Sequence, residues 1–180
     1  MTSSKKFNVL IVDDEVKITK IIHQYLNLYS GFNKIVIAEN VLQATQKLAN
    51  QEFDLIISDL NMGKVGGTNL VEYTKKHPKY NKIKYIVVSG FVSKEVTIQL
   101  IKGGVRHIIV KPFTARQILE TVFKVLKVSK KPEEMANTLI LELAEKLQSQ
   151  KERILEDRKE AISKTLEKYY KQHEKLKDQE

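Results

Sequence analysis

The sequence predicts an α/β fold in which a five-stranded parallel sheet carries helices on both faces and one long helix follows at the C-terminus. Between residues 5 and 128, five short apolar runs alternate with five segments of helical periodicity, the pattern of βα repeats that build a parallel sheet. Residues 133–177 contain no glycine or proline and are dense in glutamate, lysine, leucine and glutamine. That composition is typical of a continuous helix.

The predicted strands are short apolar runs bounded by turn residues. They cover residues 7–12, 34–38, 55–58, 84–89 and 107–110. Apolar residues at helical spacing predict helices at 15–29, 41–49, 68–76, 94–102 and 115–126. Ser30-Gly31 and Gly103-Gly104 follow two of these helices as stop signals.

Three of the predicted helices are preceded by residue types that cap helix N-termini, namely Asn40, Ser93 and Thr114. The apolar spacing also predicts which helix faces are buried. In the second helix the buried positions are predicted to be Leu42, Ala44 and Leu48. In the fifth helix they are predicted to be Ile118, Leu119, Val122, Phe123 and Leu126.

The composition is that of a globular protein, with 42% hydrophobic and 29% charged residues among 180. Cysteine is absent, which excludes disulfides and thiolate metal sites. No apolar run approaches the roughly 18 residues of a membrane span, and the run at 7–12 is too short for a signal sequence. We therefore expect a cytoplasmic protein with no membrane partner.

The net charge of +9 is unevenly distributed along the chain. Residues 1–131 hold 21 basic and 10 acidic side chains, whereas residues 132–180 hold 10 and 12. Basic domains attract nucleic acid and acidic partners. Here, however, the lysines are scattered along the sequence, without interleaved aromatics or a recognition-helix pattern. A solvated surface is the favoured interpretation, and we do not expect nucleic-acid binding.

The chain is predicted to divide into a domain at residues 1–128, a linker at 129–132 and a helical tail at 133–180. Pro132 suits a helix start, and Glu133-Glu134 follow near the positive end of the helix dipole. Apolar residues in the tail recur as in a coiled coil, with a stutter over positions 143–155. The tail either pairs with a second copy, lies on a partner, or is a lone helix held by charge pairs.

Polar side chains follow four of the predicted strands at their carboxyl ends, where parallel sheets bind ligands. The first strand runs into Asp13-Asp14, the third into Asp59, the fourth ends in Ser89 and the fifth runs into Lys111. Three carboxylates at one edge repel each other. A hard divalent cation with oxygen ligands relieves that repulsion, and Mg²⁺ fits best.

This set of groups suits phosphoryl transfer onto a carboxylate. One carboxylate acts as the nucleophile, while the cation and the lysine ammonium neutralise charge on the phosphoryl oxygens. The Ser89 hydroxyl can donate a hydrogen bond to the same group. None of these residues is an evident base for activating water. We therefore expect slow turnover of the phosphorylated product.

Taken in order, these strand ends resemble the receiver domain of two-component response regulators over roughly residues 5–128, about 70% of the chain. The motifs that carry the resemblance are Asp13-Asp14, Asp59, Ser89-Gly90 and Lys111-Pro112-Phe113. The resemblance implies a flavodoxin-like, doubly wound sheet. It also implies that Asp59 is the phosphoacceptor, charged by a phosphohistidine on a sensor histidine kinase or a phosphotransfer protein.

The resemblance further implies a role for each residue around Asp59. Asp14, Asp59 and the backbone carbonyl of Asn61 would bind Mg²⁺ directly, and Asp13 would act through water. Lys111, ahead of a cis bond to Pro112, would pair with the phosphoryl group. Ser89 would be the switch hydroxyl that moves toward that group.

The chain also departs from the usual receiver pattern. Gly63 stands where proline is common, which predicts a looser acceptor loop, and Gly66-Gly67 stands where Asp-Gly is common. Ile108 occupies the place of the aromatic ring that usually reports phosphorylation. Phe91, two residues beyond Ser89, is bulky enough to hinder water. We therefore expect a fairly long-lived aspartyl phosphate.

The predicted function is a two-component response regulator whose helical tail does not bind DNA but dimerises or binds an output protein. Its chemistry would be limited to Mg²⁺-dependent self-phosphorylation and slow self-dephosphorylation at Asp59, so we do not expect an enzyme beyond this. The alternative is a helical scaffold or adaptor whose receiver is mainly a protein docking module.

Overall fold

The computed structural model describes residues 5–63, 66–129 and 131–177, with 165–177 described by their backbone alone. Its five strands form one parallel sheet in the order β2-β1-β3-β4-β5. The strands are β1 (Phe7–Val12), β2 (Phe32–Ala38), β3 (Leu55–Ser58), β4 (Lys84–Ser89) and β5 (Ile108–Val110). This order confirms the predicted flavodoxin-like, doubly wound sheet, whose topological switch point lies between β1 and β3.

Six helices accompany the sheet within the described residues. They are α1 (Val16–Leu26), α2 (Val41–Asn50), α3 (Gly67–Lys76), α4 (Lys94–Lys102), α5 (Ala115–Leu126) and α6 (Pro132–Lys177). None of the helices in these described ranges is long and apolar enough to cross a membrane.

The three predicted helix caps are confirmed by their hydrogen bonds. Asn40 Oδ1 accepts from the backbone N–H of Gln43 at 2.8 Å, and Ser93 Oγ accepts from that of Val96 at 3.2 Å. Thr114 forms a reciprocal capping box with Gln117. Local sequence chemistry therefore sets where α2, α4 and α5 begin.

Helix α1 ends at Leu26 rather than at the predicted residue 29. The Tyr29 ring packs edge-on against both Phe32 and Phe123, with centroid distances of 5.4 and 5.1 Å. Backbone turns at Leu28 and Tyr29 replace the last helical turn. The contact with Phe123 is distant in sequence, so helical periodicity alone cannot predict it.

Successive strand residues point to opposite faces of the sheet and supply two hydrophobic clusters. Leu10, Val12 and Ile56 belong to the cluster under α2, α3 and α4, whereas Val9 and Ile11 belong to the cluster under α1 and α5. The predicted burial of α5 is confirmed for Ile118, Leu119, Val122 and Phe123, while Leu126 is half-buried and packs against its cluster.

The predicted burial of Leu42 is wrong, because its side chain is 68% exposed. Ala44 and Leu48 are fully buried as predicted, and Val41 packs beside them. Positions 41, 44 and 48 share one helix face, whereas residue 42 lies about 100° away from 41 around the axis. In α2 it is therefore Val41, partly buried, that packs against the cluster.

The first turns of α6 belong to the compact unit that contains the sheet. Ala136 is fully buried, and Met135, Leu139 and Ile140 pack against the α1–α5 cluster. The chain divides into two compact units between Ile140 and Leu141, inside α6 rather than at the predicted linker 129–132. Beyond this point, within the described side chains, apolar residues of α6 such as Leu147, Leu155 and Ile162 are exposed. Predicted seam positions after residue 164 lie outside the described side chains.

Candidate functional site

The strand register brings the predicted site residues to one edge of the sheet. Val12 pairs with Ser58, so that Asp13 and Asp59 leave adjacent strands side by side. The backbone N–H of Asp59 donates to the carbonyl of Val12 at 2.9 Å. At the same edge, where β4 and β5 end, the N–H of Lys111 donates to the carbonyl of Ser89 at 2.9 Å. We call Asp13, Asp14, Asp59, Ser89 and Lys111 the carboxyl-end site.

Lys111 is the centre of the charge network at this site. Its Nζ lies 2.8 Å from Asp13 Oδ2, 3.0 Å from Asp59 Oδ2 and 3.1 Å from Glu15 Oε1. Glu15 was not among the residues predicted from the sequence, although its position directly after the acidic pair is a usable signal. The lysine therefore bridges carboxylates from the ends of β1 and β3.

Asp59 is held in a fixed orientation and is only 5% exposed. Its Oδ1 accepts hydrogen bonds from the backbone N–H groups of Leu60 at 2.6 Å and Asn61 at 3.2 Å. Its Oδ2 faces Lys111. Because separate donors hold each oxygen, the carboxylate cannot rotate freely, and Oδ2 is presented beside a positive charge.

Three carboxylates gather at this edge. Oxygens of Asp13, Asp14 and Asp59 lie within 4.8 Å of one another, with Asp13 and Asp59 buried and Asp14 exposed. An all-carboxylate set with one solvent-facing member suits Mg²⁺, which retains part of its water shell when bound by protein carboxylates. The backbone-carbonyl role predicted for Asn61 stays a prediction.

Electrostatics at the site follow from burial and from the lysine. Burial raises the pKa of Asp13, and the charge of Asp59 adds to this effect, while hydrogen bonds from Lys111 and the Glu15 N–H oppose it. Burial alone would lower the pKa of Lys111, but its hydrogen bonds with Asp13 and Asp59 outweigh this and raise it above its ordinary value. Lys111 is therefore a permanent positive charge beside Asp59.

The loop after Asp59 explains two of the departures in sequence. A Cβ on Gly67 would overlap the backbone carbonyl oxygen of Asp59, and one on Gly66 would lie 2.5 Å from that of Leu60. The loop packs directly against the backbone that follows β3, so neither position tolerates a side chain. Gly63 has φ +57°, which the proline ring cannot adopt.

Ser89 is fully buried at the end of β4. Its Oγ donates to the carbonyl of Phe91 at 3.2 Å and accepts from the side-chain amide of Asn61 at 3.3 Å. The hydroxyl is therefore linked to the acceptor loop through Asn61. The Phe91 ring is 74% exposed, and the predicted cis bond between Lys111 and Pro112 is present.

The strand order and the polar side chains at the carboxyl edge place the chain in the doubly wound α/β class. Residues 9–123 match the response regulator receiver domain. The chain belongs to the response regulator receiver family. Membership of this family supports the prediction that the protein is a two-component response regulator. The match ends before α6 begins.

Individual relatives agree with this assignment. The chain is 32% identical over 119 residues to chemotaxis protein CheY1 of Helicobacter pylori, covering 66% of this chain and 95% of that protein. It is 28% identical over 124 residues to chemotaxis protein CheY-3 of Vibrio cholerae, covering 69% and 95%.

Solved structures give the same result. A CheY-like response regulator receiver domain protein from Methanospirillum hungatei is 27% identical, with a TM-score of 0.63, covering 73% of this chain and 99% of that one. Chemotaxis protein CheY4 of Vibrio cholerae is also 27% identical, with a TM-score of 0.62, covering 67% and 98%.

Proposed function

We propose that Asp59 accepts a phosphoryl group from a phosphohistidine on a sensor histidine kinase or phosphotransfer protein, with Mg²⁺ at the carboxyl-end site. The observation that carries this proposal is the buried Asp59 carboxylate, held by two backbone N–H groups on Oδ1 and by Lys111 on Oδ2. Family membership supports the same partners.

In this reaction an Asp59 carboxylate oxygen attacks the phosphorus atom of the phosphohistidine. A phosphorus–oxygen bond forms as the phosphorus–nitrogen bond breaks, and the electron pair leaves with the imidazole nitrogen, which takes up a proton. Lys111 stays protonated throughout and offsets the charge that gathers on the phosphoryl oxygens. The Leu60 and Asn61 N–H groups keep the carboxylate oriented for attack.

The residues that would hold Mg²⁺ are Asp13, Asp14 and Asp59, whose oxygens gather within 4.8 Å. When bound, the ion would neutralise negative charge on the oxygens of the phosphoryl group that is transferred. Without Mg²⁺, the Lys111 ammonium already faces the carboxylates of Asp13 and Asp59, and an incoming phosphoryl group adds further negative charge. Transfer to Asp59 is therefore expected to depend on Mg²⁺.

Hydrolysis of the aspartyl phosphate is expected to be slow. Among the described residues, the hydrogen-bond donors to the Asp59 carboxylate are backbone N–H groups and Lys111, and Lys111 stays protonated and cannot act as a base for water. Phe91 adds a bulky side chain two residues beyond Ser89. Decay of the phosphate within seconds would contradict this expectation.

The tail is proposed to carry the output by pairing with a second copy or by binding another protein. Exposed Leu147, Leu155 and Ile162 support this proposal, since they leave apolar surface on α6 uncovered. Molar mass by light scattering, with and without Mg²⁺ and beryllofluoride, tests it. A monomer in both states would exclude self-pairing and favour a separate partner.

The phosphoacceptor is tested by exposing the protein to a phosphohistidine donor or acetyl phosphate with Mg²⁺ and measuring intact mass. The wild type should gain one phosphoryl group, and Asp59→Asn should gain none. Asp54→Asn is the matched control, because Asp54 lies at the opposite end of β3 and pairs with Lys5. Phosphorylation that persists in Asp59→Asn would overturn the proposal. Normal partner binding by that variant would favour the scaffold alternative.

A further inference from the structure

A cleft of about 600 Å³ lies at the opposite end of the sheet from Asp59. It is lined at the amino end of β4 by Lys84 and at the C-terminal ends of α3 and α5 by Lys75 and Lys124. Its charged lining comprises six lysine and arginine side chains together with His107, and no acidic side chain. We call this set the basic cleft: Lys75, Lys82, Lys84, Arg106, His107, Lys124 and Lys127.

The cations of the basic cleft lack acidic partners within the part of the chain that the structure describes. Lys75 Nζ donates to the backbone carbonyls of Ile83 at 2.8 Å and Asn81 at 3.3 Å. Arg106 donates to the carbonyl of Ile101 at 3.1 Å. These bonds orient the side chains but leave their charges unbalanced.

The cations are close enough to repel one another. Burial lowers the pKa of Lys75, and the charge of Lys84 lowers it further. Burial likewise lowers the pKa of His107, and the charge of Lys124 adds to this effect. An anion placed among these groups would relieve the repulsion that the fold imposes on them.

Lys127 lines the basic cleft in a backbone conformation that favours glycine. Its φ of 55° and ψ of 40° place it in the left-handed region at the C-cap of α5. A side chain there costs about 1 kcal/mol relative to glycine. The left-handed conformation is a common way for a helix to end, and here it places a further positive charge at the cleft.

We propose that the basic cleft is a binding site for an oligophosphate anion. Lysine ammonium groups act as point charges that suit phosphate oxygens. The apolar lining residues Ile83, Tyr85 and Val125 are all buried, so a protein partner finds no exposed apolar anchor there. The lining therefore recognises charge above all.

A compact anion fits the basic cleft better than a nucleic-acid strand does. A strand requires a positive groove that tracks its backbone and aromatic side chains that stack on its bases. The adjoining groove of about 460 Å³ shares Lys82, Lys84 and Lys127 but also contains Glu52 and Asp54. The positive field is thus interrupted, and the Tyr85 ring is buried under Lys75.

The test is calorimetric titration of the full chain with sodium tripolyphosphate, without Mg²⁺. The wild type should bind one equivalent, and affinity should fall as salt rises from about 50 to about 200 mM. Lys84→Gln/Lys124→Gln should weaken binding about tenfold or more. The control Lys17→Gln/Lys20→Gln removes two exposed charges from α1, outside the cleft, and should retain wild-type affinity.

Equal loss of affinity in both double variants would mean that the anion is attracted by net charge alone, and this result would overturn the proposal. Undetectable binding by the wild type would also overturn it. Tight binding of a single-stranded oligonucleotide that tripolyphosphate fails to displace would also overturn it. Phosphorylation at Asp59 should be unaffected in Lys84→Gln/Lys124→Gln. Because the two sites are separate, failure at one leaves the other standing.

Discussion

Both ends of the receiver sheet gather charged side chains, but the two clusters differ. The carboxyl-end site pairs its lysine with carboxylates, whereas the cations of the basic cleft have no acidic partner among the described residues. At the carboxyl end, Lys111 contacts Asp13, Glu15 and Asp59 at 2.8 to 3.1 Å. At the amino end, the cations of the basic cleft lie around one cavity. Within the described residues, Lys75 and Arg106 donate hydrogen bonds to backbone carbonyl groups.

The difference shows how each end would respond to a ligand. The carboxyl-end site is preorganised, because its ammonium and backbone donors already occupy positions around Asp59. In the basic cleft the cations instead repel one another, and a bound anion would reduce that repulsion. Removing a cation should therefore destabilise the carboxyl-end site but not the basic cleft. Four experiments test the packing and the charges at the two ends.

The largest effect is expected from Gly67→Ala. The new Cβ would overlap the Asp59 carbonyl oxygen, a backbone atom that cannot rotate away. Unfolding free energy should fall by about 3 kcal/mol or more, as measured by urea denaturation. Gly90→Ala is the control, since its Cβ meets nothing within 4 Å. Equal stability of the two variants would contradict the close packing of the acceptor loop.

Lys111→Gln should destabilise the protein by about 2 kcal/mol without Mg²⁺, because Asp13 and Asp59 lose their shared cation while buried. Adding Mg²⁺ should recover part of this loss. The comparison variant is Lys84→Gln, which removes an exposed cation from the basic cleft. It should change stability by less than about 0.5 kcal/mol or raise it slightly. A similar loss in both variants would remove the contrast between the two ends.

Lys127→Gly should raise unfolding free energy by about 1 kcal/mol, because glycine adopts a φ of 55° without strain. The same variant should bind tripolyphosphate more weakly. Lys127→Gln is the matched control, since it removes the charge but retains a side chain at the left-handed backbone position. It should weaken binding without the gain in stability. Thermal unfolding and calorimetry separate the two effects.

The smallest effect concerns His107, whose pKa is lowered by burial and by Lys124. Because the folded state binds a proton less readily than the unfolded state, this histidine supports folding at pH above its ordinary pKa of about 6.5. That contribution is lost as pH falls toward the lowered value. His107→Gln should flatten the dependence of stability on pH across this window. Histidine NMR should show the pKa rising when tripolyphosphate binds, and an unchanged pKa would place the anion elsewhere.

Much of the carboxyl-end site was predictable because each residue sits directly after an apolar run. Asp59 follows Leu55–Ser58, and in-register parallel strands place such ends together. Glu15 was missed, since its side chain reaches Lys111 only through the path of the chain after β1. Val41 rather than Leu42 packs against the core because of the way α2 is rotated on the sheet. Helical periodicity does not distinguish between these two neighbouring positions.

The amino-acid sequence by itself determined the order of strands and helices, their caps, and the residues at the carboxyl ends, because these depend on local periodicity and hydrogen bonding. Tertiary structure alone decided that Ala136 packs with the receiver and that Lys75, Lys84 and Lys124 share one cleft. The three lysines lie on three different elements, α3, β4 and α5. Their proximity arises from helix packing across the sheet, for which a linear sequence carries no local signal.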